Sequence, residues 1–204
     1  WKLLEWFKEN RGKSQTKLAI NSNLGMDDKK LQEFIEAIRD VPDVELYTSC
    51  EALNEQAEYI RDGLDYKQWF SNLVELYKSG AVKQLHVMAT INGLCLLSLP
   101  QFLEHLMDFK MGWGRDSLSF TLNILRFPSF QSPIVMPYGI REECAIALEN
   151  FLLRFENSKY LHQMEIEHIK RLTEYLRKVQ TPHEGASTID KLEKDFKSFY
   201  EQYD

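Results

Sequence analysis

Polar side chains follow each of four short apolar runs in the first 127 residues. They are Asn21, Asn23, Ser49, Glu51, Thr90, Asn92, Asn123 and Arg126. The apolar runs alternate with segments of helical periodicity, which predicts parallel strands, and parallel α/β folds bind ligands at the carboxyl ends of their strands. We therefore expect these side chains to share one rim, suited to a ligand with carboxylate, amine and hydroxyl groups. The alternative is that they only begin loops and helix caps.

Arg61 lies between the second apolar run and the next helical segment, on the same loop side as the predicted rim. A guanidinium group suits bidentate recognition of a carboxylate, so Arg61 is a candidate binding residue. The alternative interpretation is a surface salt bridge.

Other reactive residue types give weaker signals. Cys50 has no histidine near it in sequence to act as a base, which favours a half-buried structural cysteine over a nucleophile. Glu165 and His168 form a single ExxH pair, with His162 preceding it. Because one such pair supplies too few metal ligands, we predict a solvated helix face there. His86 lies within a strand, and we expect its side chain to be fully hydrogen-bonded.

The order of elements indicates an α/β fold. Apolar runs predict strands over residues 18–20, 44–49, 85–91 and 118–127, each preceded by a helical segment. Asp27 and Asp28 are candidate caps of one helix, and Ser98 of another. A segment rich in proline and serine follows, and three further helices are predicted over residues 141–155, 160–179 and 189–203. We divide the chain into a βα part (1–127), a loop (128–140) and a helical extension (141–204).

Composition narrows the class of protein. The chain has 204 residues, a net charge of −6 and 44% hydrophobic residues, as in an ordinary soluble domain. A pI near 5.5 argues against a nucleic-acid binder. The three cysteines are too widely spaced for a disulfide framework or a close-spaced metal motif, which favours a reducing compartment. With no long apolar segment, we expect a cytoplasmic protein that does not enter a membrane.

Four segments together resemble a known family. Residues 21–24, 46–51, 58–63 and 118–128, with the tail at 196–204, are similar in order and spacing to the part of radical SAM enzymes that follows the cluster motif. The nearest resemblance is to the twitch-domain-containing group. These enzymes use a partial (βα)₆ barrel and a four-iron four-sulfur cluster, which cleaves S-adenosylmethionine to a 5′-deoxyadenosyl radical that abstracts a substrate hydrogen.

The resemblance implies a role for each rim residue. The four strands would be the third to sixth of the barrel, and Ser49 would help to bind S-adenosylmethionine. Arg61 would meet the carboxylate of that cofactor, and Glu51 stands where many relatives have aspartate. The remaining rim residues would line the cofactor or substrate side: Asn21, Asn23, Thr90 and Asn92 the cofactor, Asn123 and Arg126 the substrate. Residues 127–137 and the C-terminal helices would cover the barrel mouth.

The chain departs from the family at the cluster. The CxxxCxxC motif and the Gly-Gly-Glu segment are absent, and Cys50, Cys95 and Cys144 do not have cluster spacing. The leading hypothesis is therefore the C-terminal part of a radical SAM enzyme acting on a peptide or small biosynthetic substrate. A second hypothesis is a non-catalytic domain that binds a peptide or protein partner. A third is another α/β enzyme that uses the Ser49–Glu51 turn for hydrolysis or lyase chemistry.

Overall fold

A computed structural model describes residues 2–10, 17–178 and 189–201. Its centre is a sheet of four parallel strands whose spatial order is their order along the chain. The α/β class with parallel strands is therefore confirmed. The strands are β1 (Ala19–Asn21), β2 (Glu45–Ser49), β3 (Gln84–Ile91) and β4 (Leu118–Ile124).

Helices connect the strands and extend beyond them. One of them, the seven-residue helix over Asn54–Ile60, was not predicted from the sequence. The described helices are α1 (Lys2–Glu9), α2 (Asp28–Ile38), α3 (Asn54–Ile60), α4 (Tyr66–Lys78), α5 (Leu99–Trp113), α6 (Tyr138–Phe155), α7 (Gln163–Leu176) and α8 (Ile189–Tyr200). The loop predicted after β4 contains two short 3₁₀ turns, Ser129–Gln131 and Pro133–Val135. Residues 202 and 203, in the predicted last helix, lie outside the described residues.

Local capping explains where several helices begin. The carboxylate of Asp27 accepts a hydrogen bond from the backbone N–H of Lys30, at 2.9 Å, and so caps α2 as predicted. Asp65 caps α4 in the same way. Ser98 precedes α5, but its hydroxyl does not cap that helix; it accepts a bond from the N–H of Leu53 at 3.4 Å.

The two faces of the sheet differ in burial. In β3, Leu85, Val87, Ala89 and Ile91 are fully buried, whereas the alternate side chains are only half-buried. The buried face packs against α4 and α5, and this core continues into α6 and α7. We call the opposite face the open face. Its residues follow from the strand register: Ala19, Asn21, Glu45, Tyr47, Ser49, Gln84, His86, Met88, Thr90, Ser119, Thr121 and Asn123.

Helix α7 covers the outer edge of β4 with three polar side chains. Glu165 accepts the backbone N–H of Phe120 at 3.0 Å, and His168 accepts that of Leu122 at 2.9 Å. Arg171 donates to the carbonyl oxygen of Leu122 at 2.7 Å. Side chains three residues apart on a helix face the same way, so one helix face satisfies an unpaired strand edge. The prediction that Glu165 and His168 lie on a solvated face was wrong.

The two outer strands also differ from expectation. β1 was predicted to be buried, but it is a three-residue edge strand in which Ala19 and Asn21 are exposed, because it has one strand neighbour among the described residues. β4 was predicted to reach residue 127 but ends at Ile124. Phe127 is 86% exposed and does not belong to the sheet. Among the described helices, none has both the length and the apolar composition to cross a bilayer.

Candidate functional site

Three of the predicted rim residues line one cavity at the carboxyl ends of β1 and β2. Asn23, Ser49 and Arg61 surround a space of about 310 Å³, which we call the rim cavity. Asp62 lines the same space. The structure thus brings together side chains that are up to 39 residues apart in sequence (62 − 23).

The loop that carries Asn23 is hydrogen-bonded to a helix residue that was not predicted from the sequence. Asn72 of α4 is buried, and its Nδ2 donates to the carbonyl oxygens of Leu24, at 2.8 Å, and Met26, at 2.7 Å. Leu24 has a φ of 52° and a fully buried side chain, so the loop is anchored by an apolar contact as well. An asparagine in a helical segment gives no sequence signal for such a contact.

Asn23 uses part of its own hydrogen-bonding capacity within this loop. Its Oδ1 accepts the backbone N–H of Gly25 at 3.1 Å, and the preceding Ser22 accepts that of Leu24 at 3.1 Å. These short-range bonds are typical of polar turns. The amide donor of Asn23 is the group that this residue offers to a ligand.

Arg61 is paired inside the protein. Its Nε and Nη2 donate to Oε2 of Glu51 at 3.0 and 2.6 Å. The Glu51 side chain is 3% exposed and that of Arg61 is 30% exposed, so the acidic partner is buried. Burial raises the pKa of the Glu51 carboxyl group, and Arg61 offsets part of that rise. Arg61 is therefore committed to Glu51 through two donors, and a carboxylate ligand would share it.

The other predicted rim residues lie at different places. Asn21 is exposed on β1, and Thr90 is half-buried on the open face. Asn92 is buried, and its Oδ1 accepts the backbone N–H groups of Leu94 and Cys95 at 2.9 and 3.1 Å. These bonds make Asn92 a cap of the turn after β3. Asn92 therefore matches the alternative interpretation, in which a polar residue at a strand end only begins a loop or a cap.

Asn123 and Arg126 belong to a second cavity rather than to the rim cavity. Its volume is about 420 Å³, and its lining includes Arg171, Glu174 and Lys178. Three cationic side chains face one carboxylate there. The two predicted substrate residues therefore lie in a different cavity from the three predicted cofactor residues that line the rim cavity.

The three cysteines are all buried and lie on different elements. Burial raises the pKa of Cys50 and of Cys144 to about 12, and it also raises that of Cys95. Cys50 was expected to be half-buried, but it is fully buried. Thiols with raised pKa values are poor nucleophiles and poor metal ligands. Within the described part of the chain, no three His, Cys, Asp or Glu side chains are grouped to hold a metal ion.

A larger cavity, of about 650 Å³, lies on the open face. The ring of His86 stacks on Tyr47, with centroids 4.3 Å apart, and its Nδ1 lies 2.6 Å from Oγ of Ser119. Its Nε2 is buried without a hydrogen-bond partner, so His86 is only partly satisfied, contrary to expectation. Burial lowers the pKa of His86. We call this space the open-face cavity.

No family model, no curated protein and no solved structure matches the chain.

Proposed function

We propose that this chain forms the cofactor-contacting wall of a radical SAM-type (βα) barrel and that the rim cavity binds the amino-acid part of S-adenosylmethionine. The observation that carries the proposal is the convergence of Asn23, Ser49 and Arg61 on one cavity. They converge at the carboxyl ends of adjacent parallel strands, where ligands bind in α/β folds.

The chemistry of the rim cavity suits a zwitterionic ligand. Arg61 offers a guanidinium group to a carboxylate, and Asp62 offers a carboxylate to an ammonium group. The Ser49 hydroxyl and the Asn23 amide add uncharged hydrogen bonds. A volume of about 310 Å³ lies at the lower end of the range for small-molecule sites, which is about 300–1,000 Å³. It fits the amino-acid end of the cofactor rather than the whole molecule.

The cysteines of this chain do not fit an iron–sulfur cluster. Cys50, Cys95 and Cys144 are buried on separate elements and favour the protonated thiol. We therefore assign no radical-forming step to these residues. The proposed contribution of this chain is to bind and orient the amino-acid end of the cofactor and to shield it from water.

The second cavity suggests the charge of the substrate. Arg126, Arg171 and Lys178 line it with a single carboxylate, that of Glu174, so its lining has a net positive charge. A peptide or small biosynthetic substrate with an anionic group near the reacting part would be attracted to it.

Calorimetric titration of the purified chain with S-adenosylmethionine tests this function. We expect saturable binding that Ser49→Ala and Arg61→Met each weaken about tenfold, the effect of losing one hydrogen bond to a charged group. Because Arg61→Met also leaves the buried Glu51 carboxylate without its cation, urea denaturation establishes that this variant is folded under the titration conditions. Arg39→Met is the control for loss of a guanidinium group, because Arg39 is exposed directly after α2 and pairs only locally with Glu36. No binding by the wild-type chain, or equal binding by Arg61→Met, would overturn the proposal.

The Glu51–Arg61 pair favours a second candidate function. Because Arg61 already has a buried anionic partner, the rim requires no ligand to balance its charge. This arrangement suits a non-catalytic domain that binds a peptide or protein partner. Such a domain would show no heat with S-adenosylmethionine and would retain one specific partner after affinity capture, and that partner would be lost on substitution of rim residues.

A further inference from the structure

The second cavity contains three cations that no described carboxylate neutralises by direct contact. Arg126, Arg171 and Lys178 line its volume of about 420 Å³, and none of them forms an ion pair with a carboxylate of the described residues. The lining also includes one carboxylate, that of Glu174, so its net charge is +2 (3 − 1). The whole chain, in contrast, has a net charge of −6. Because neighbouring cations repel one another, an anion bound among them would be stabilised.

Arg171 is held in place by the backbone of the neighbouring strand. Its Nη2 donates a hydrogen bond to the carbonyl oxygen of Leu122 at 2.7 Å. A carbonyl oxygen has no net charge, so this bond orients the guanidinium group without neutralising it. A guanidinium group has about five N–H donors, and this bond uses one of them. Arg171 therefore presents an oriented and still cationic group to the cavity, where its exposed side chain can reach a ligand.

The C-terminal end of α7 forms another side of the cavity. The Tyr175 hydroxyl lies 3.1 Å from Oγ of Ser132, and Nζ of Lys178 lies 5.9 Å from the centre of the Tyr175 ring. The last carbonyl oxygens of a helix have a partial negative charge that would oppose an anion. In α7, Nη1 of Arg141 donates to the carbonyl oxygens of Leu176, at 2.6 Å, and of Lys178, at 3.2 Å. This cation compensates the helix end, so the helix end does not cancel the positive charge of the lining.

The charge and the donors of the cavity favour a phosphate monoester over a carboxylate. A phosphate monoester has a charge of about −1.5 to −2 at pH 7 and offers three strong acceptor oxygens, whereas a carboxylate has a single charge and two oxygens. The larger charge matches the net charge of +2 (3 − 1) in the lining. Guanidinium groups bind phosphate oxygens through paired N–H donors, and a lysine ammonium group binds them as a point charge.

The uncharged part of the lining accommodates a small organic group. Ile124 and Tyr175 line the same space as the cations. The volume of about 420 Å³ lies within the range of small-molecule sites, which is about 300–1,000 Å³. A phosphate group alone fills only part of such a volume, so the cavity also has room for the part of a small molecule next to the ester oxygen.

We propose that the second cavity binds the phosphate group of a small phosphate monoester. Arg126, Arg171 and Lys178 contact the phosphate oxygens. The organic part of the molecule lies against Ile124 and Tyr175. As an assignment of substrate class, this inference rests on the function proposed above, in which the second cavity is the substrate side.

Nuclear magnetic resonance of the full chain, labelled with ¹⁵N, tests this site with phenyl phosphate as the probe. We expect the backbone amide resonances of residues 123–126 and 171–178 to shift together and to saturate. Benzoate, which has the same ring but a single charge, should bind about tenfold more weakly, and inorganic phosphate, which has no ring, should also bind more weakly. Absence of a saturable shift at millimolar phenyl phosphate, or equal affinity for benzoate or inorganic phosphate, would overturn the proposal.

Two exposed lining residues of opposite charge give opposite predictions in variants that should fold. Arg126→Gln removes a cation and should weaken phenyl phosphate binding about tenfold. Glu174→Gln removes the carboxylate that repels the phosphate and should strengthen binding about threefold. Arg115→Gln, at an exposed arginine outside the cavity, is the matched control, because it changes the net charge by the same amount as Arg126→Gln. Unchanged affinity in Arg126→Gln, or weaker binding in Glu174→Gln, would overturn the proposal.

Titration of the same samples with S-adenosylmethionine keeps this result separate from the function proposed for the rim. A chain that binds phenyl phosphate but not S-adenosylmethionine would support the phosphate site and overturn only the function of the rim. A chain that binds S-adenosylmethionine but not phenyl phosphate would overturn only the phosphate site.

Discussion

Nζ of Lys110 lies 2.6 Å from Oε2 of Glu165, and both side chains are completely buried. Glu165 also accepts the backbone N–H groups of Phe120, at 3.0 Å, and of His162, at 2.7 Å. One carboxylate thus joins α5, the edge of β4 and the start of α7. A buried ion pair with this many hydrogen bonds is a junction in the fold, and it fixes the position of His162 at the open-face cavity.

Removing one partner of this pair should be costly. Lys110→Met leaves the Glu165 carboxylate buried without its cation, and we expect the free energy of unfolding to fall by about 3–5 kcal/mol. Urea denaturation measures the change. Lys78→Met is the matched control, because Lys78 and Glu75 form an exposed pair that should contribute about 0–1 kcal/mol. A loss below about 1 kcal/mol in the free energy of unfolding of Lys110→Met would contradict this prediction, because it would show that the Lys110–Glu165 pair contributes little to stability.

Replacing Asn72 should loosen the rim loop. Asn72→Ala leaves the carbonyl oxygens of Leu24 and Met26 without their donor, so we expect a loss of about 1–3 kcal/mol in the free energy of unfolding. Hydrogen exchange should become faster at residues 22–26 before it does in β3. The exposed neighbour Ser71 provides the control variant Ser71→Ala. An unchanged rate of hydrogen exchange at residues 22–26 in Asn72→Ala would show that Asn72 does not position this loop.

All three cysteines should be inert in the native protein. With a pKa of about 12 for Cys50 and Cys144, about one thiol in ten thousand is ionised at pH 8, and both are also shielded from reagent. Ellman's reagent should therefore label none rapidly at pH 8 and three per chain in denaturant. Rapid native labelling of Cys50 would restore it as a candidate nucleophile.

Acidification should destabilise the contact between α7 and β4. Burial and the neighbouring Arg171 lower the pKa of His168 from its ordinary value of about 6.5, with Glu167 and Glu165 acting in the opposite direction. The unfolded chain therefore binds the proton more tightly, so the stabilisation is complete above pH 6.5 and is lost as the pH falls through the folded pKa. Protonation also removes the acceptor of the Leu122 N–H.

The melting temperature at pH 8 and at pH 5.5 measures this effect. We expect the decrease to be smaller in His168→Gln than in wild type, because glutamine keeps an acceptor but does not titrate. His86 and His105, whose pKa values burial also lowers, should account for part of the remaining decrease. An identical decrease in melting temperature in His168→Gln and wild type would show that protonation of His168 does not cause the loss of stability.

The sequence by itself determined the class and order of the elements. Alternation in β3 and helical spacing in α2 report which side of each element faces the core, and Asp27 marks a helix start through a bond three residues away. These are short-range relationships, so they are visible in the linear chain. The convergence of strand ends on a rim also followed from the parallel order, which is how Asn23 and Ser49 could be expected near each other.

Tertiary structure alone decided which side chains meet. The sequence predicts that Glu165 belongs to an ExxH pair on a solvated helix face. In the structure it is buried and accepts a hydrogen bond from Lys110, 55 residues away. From the sequence, Arg61 is a candidate ligand residue, but in the structure it is hydrogen-bonded to Glu51. The contact of Asn72 with the loop after β1 belongs to no sequence motif. The imidazoles of His86 and His162 line one cavity although 76 residues separate them (162 − 86). Contacts between distant residues depend on how whole elements pack, and no local pattern of hydrophobicity or capping encodes that packing.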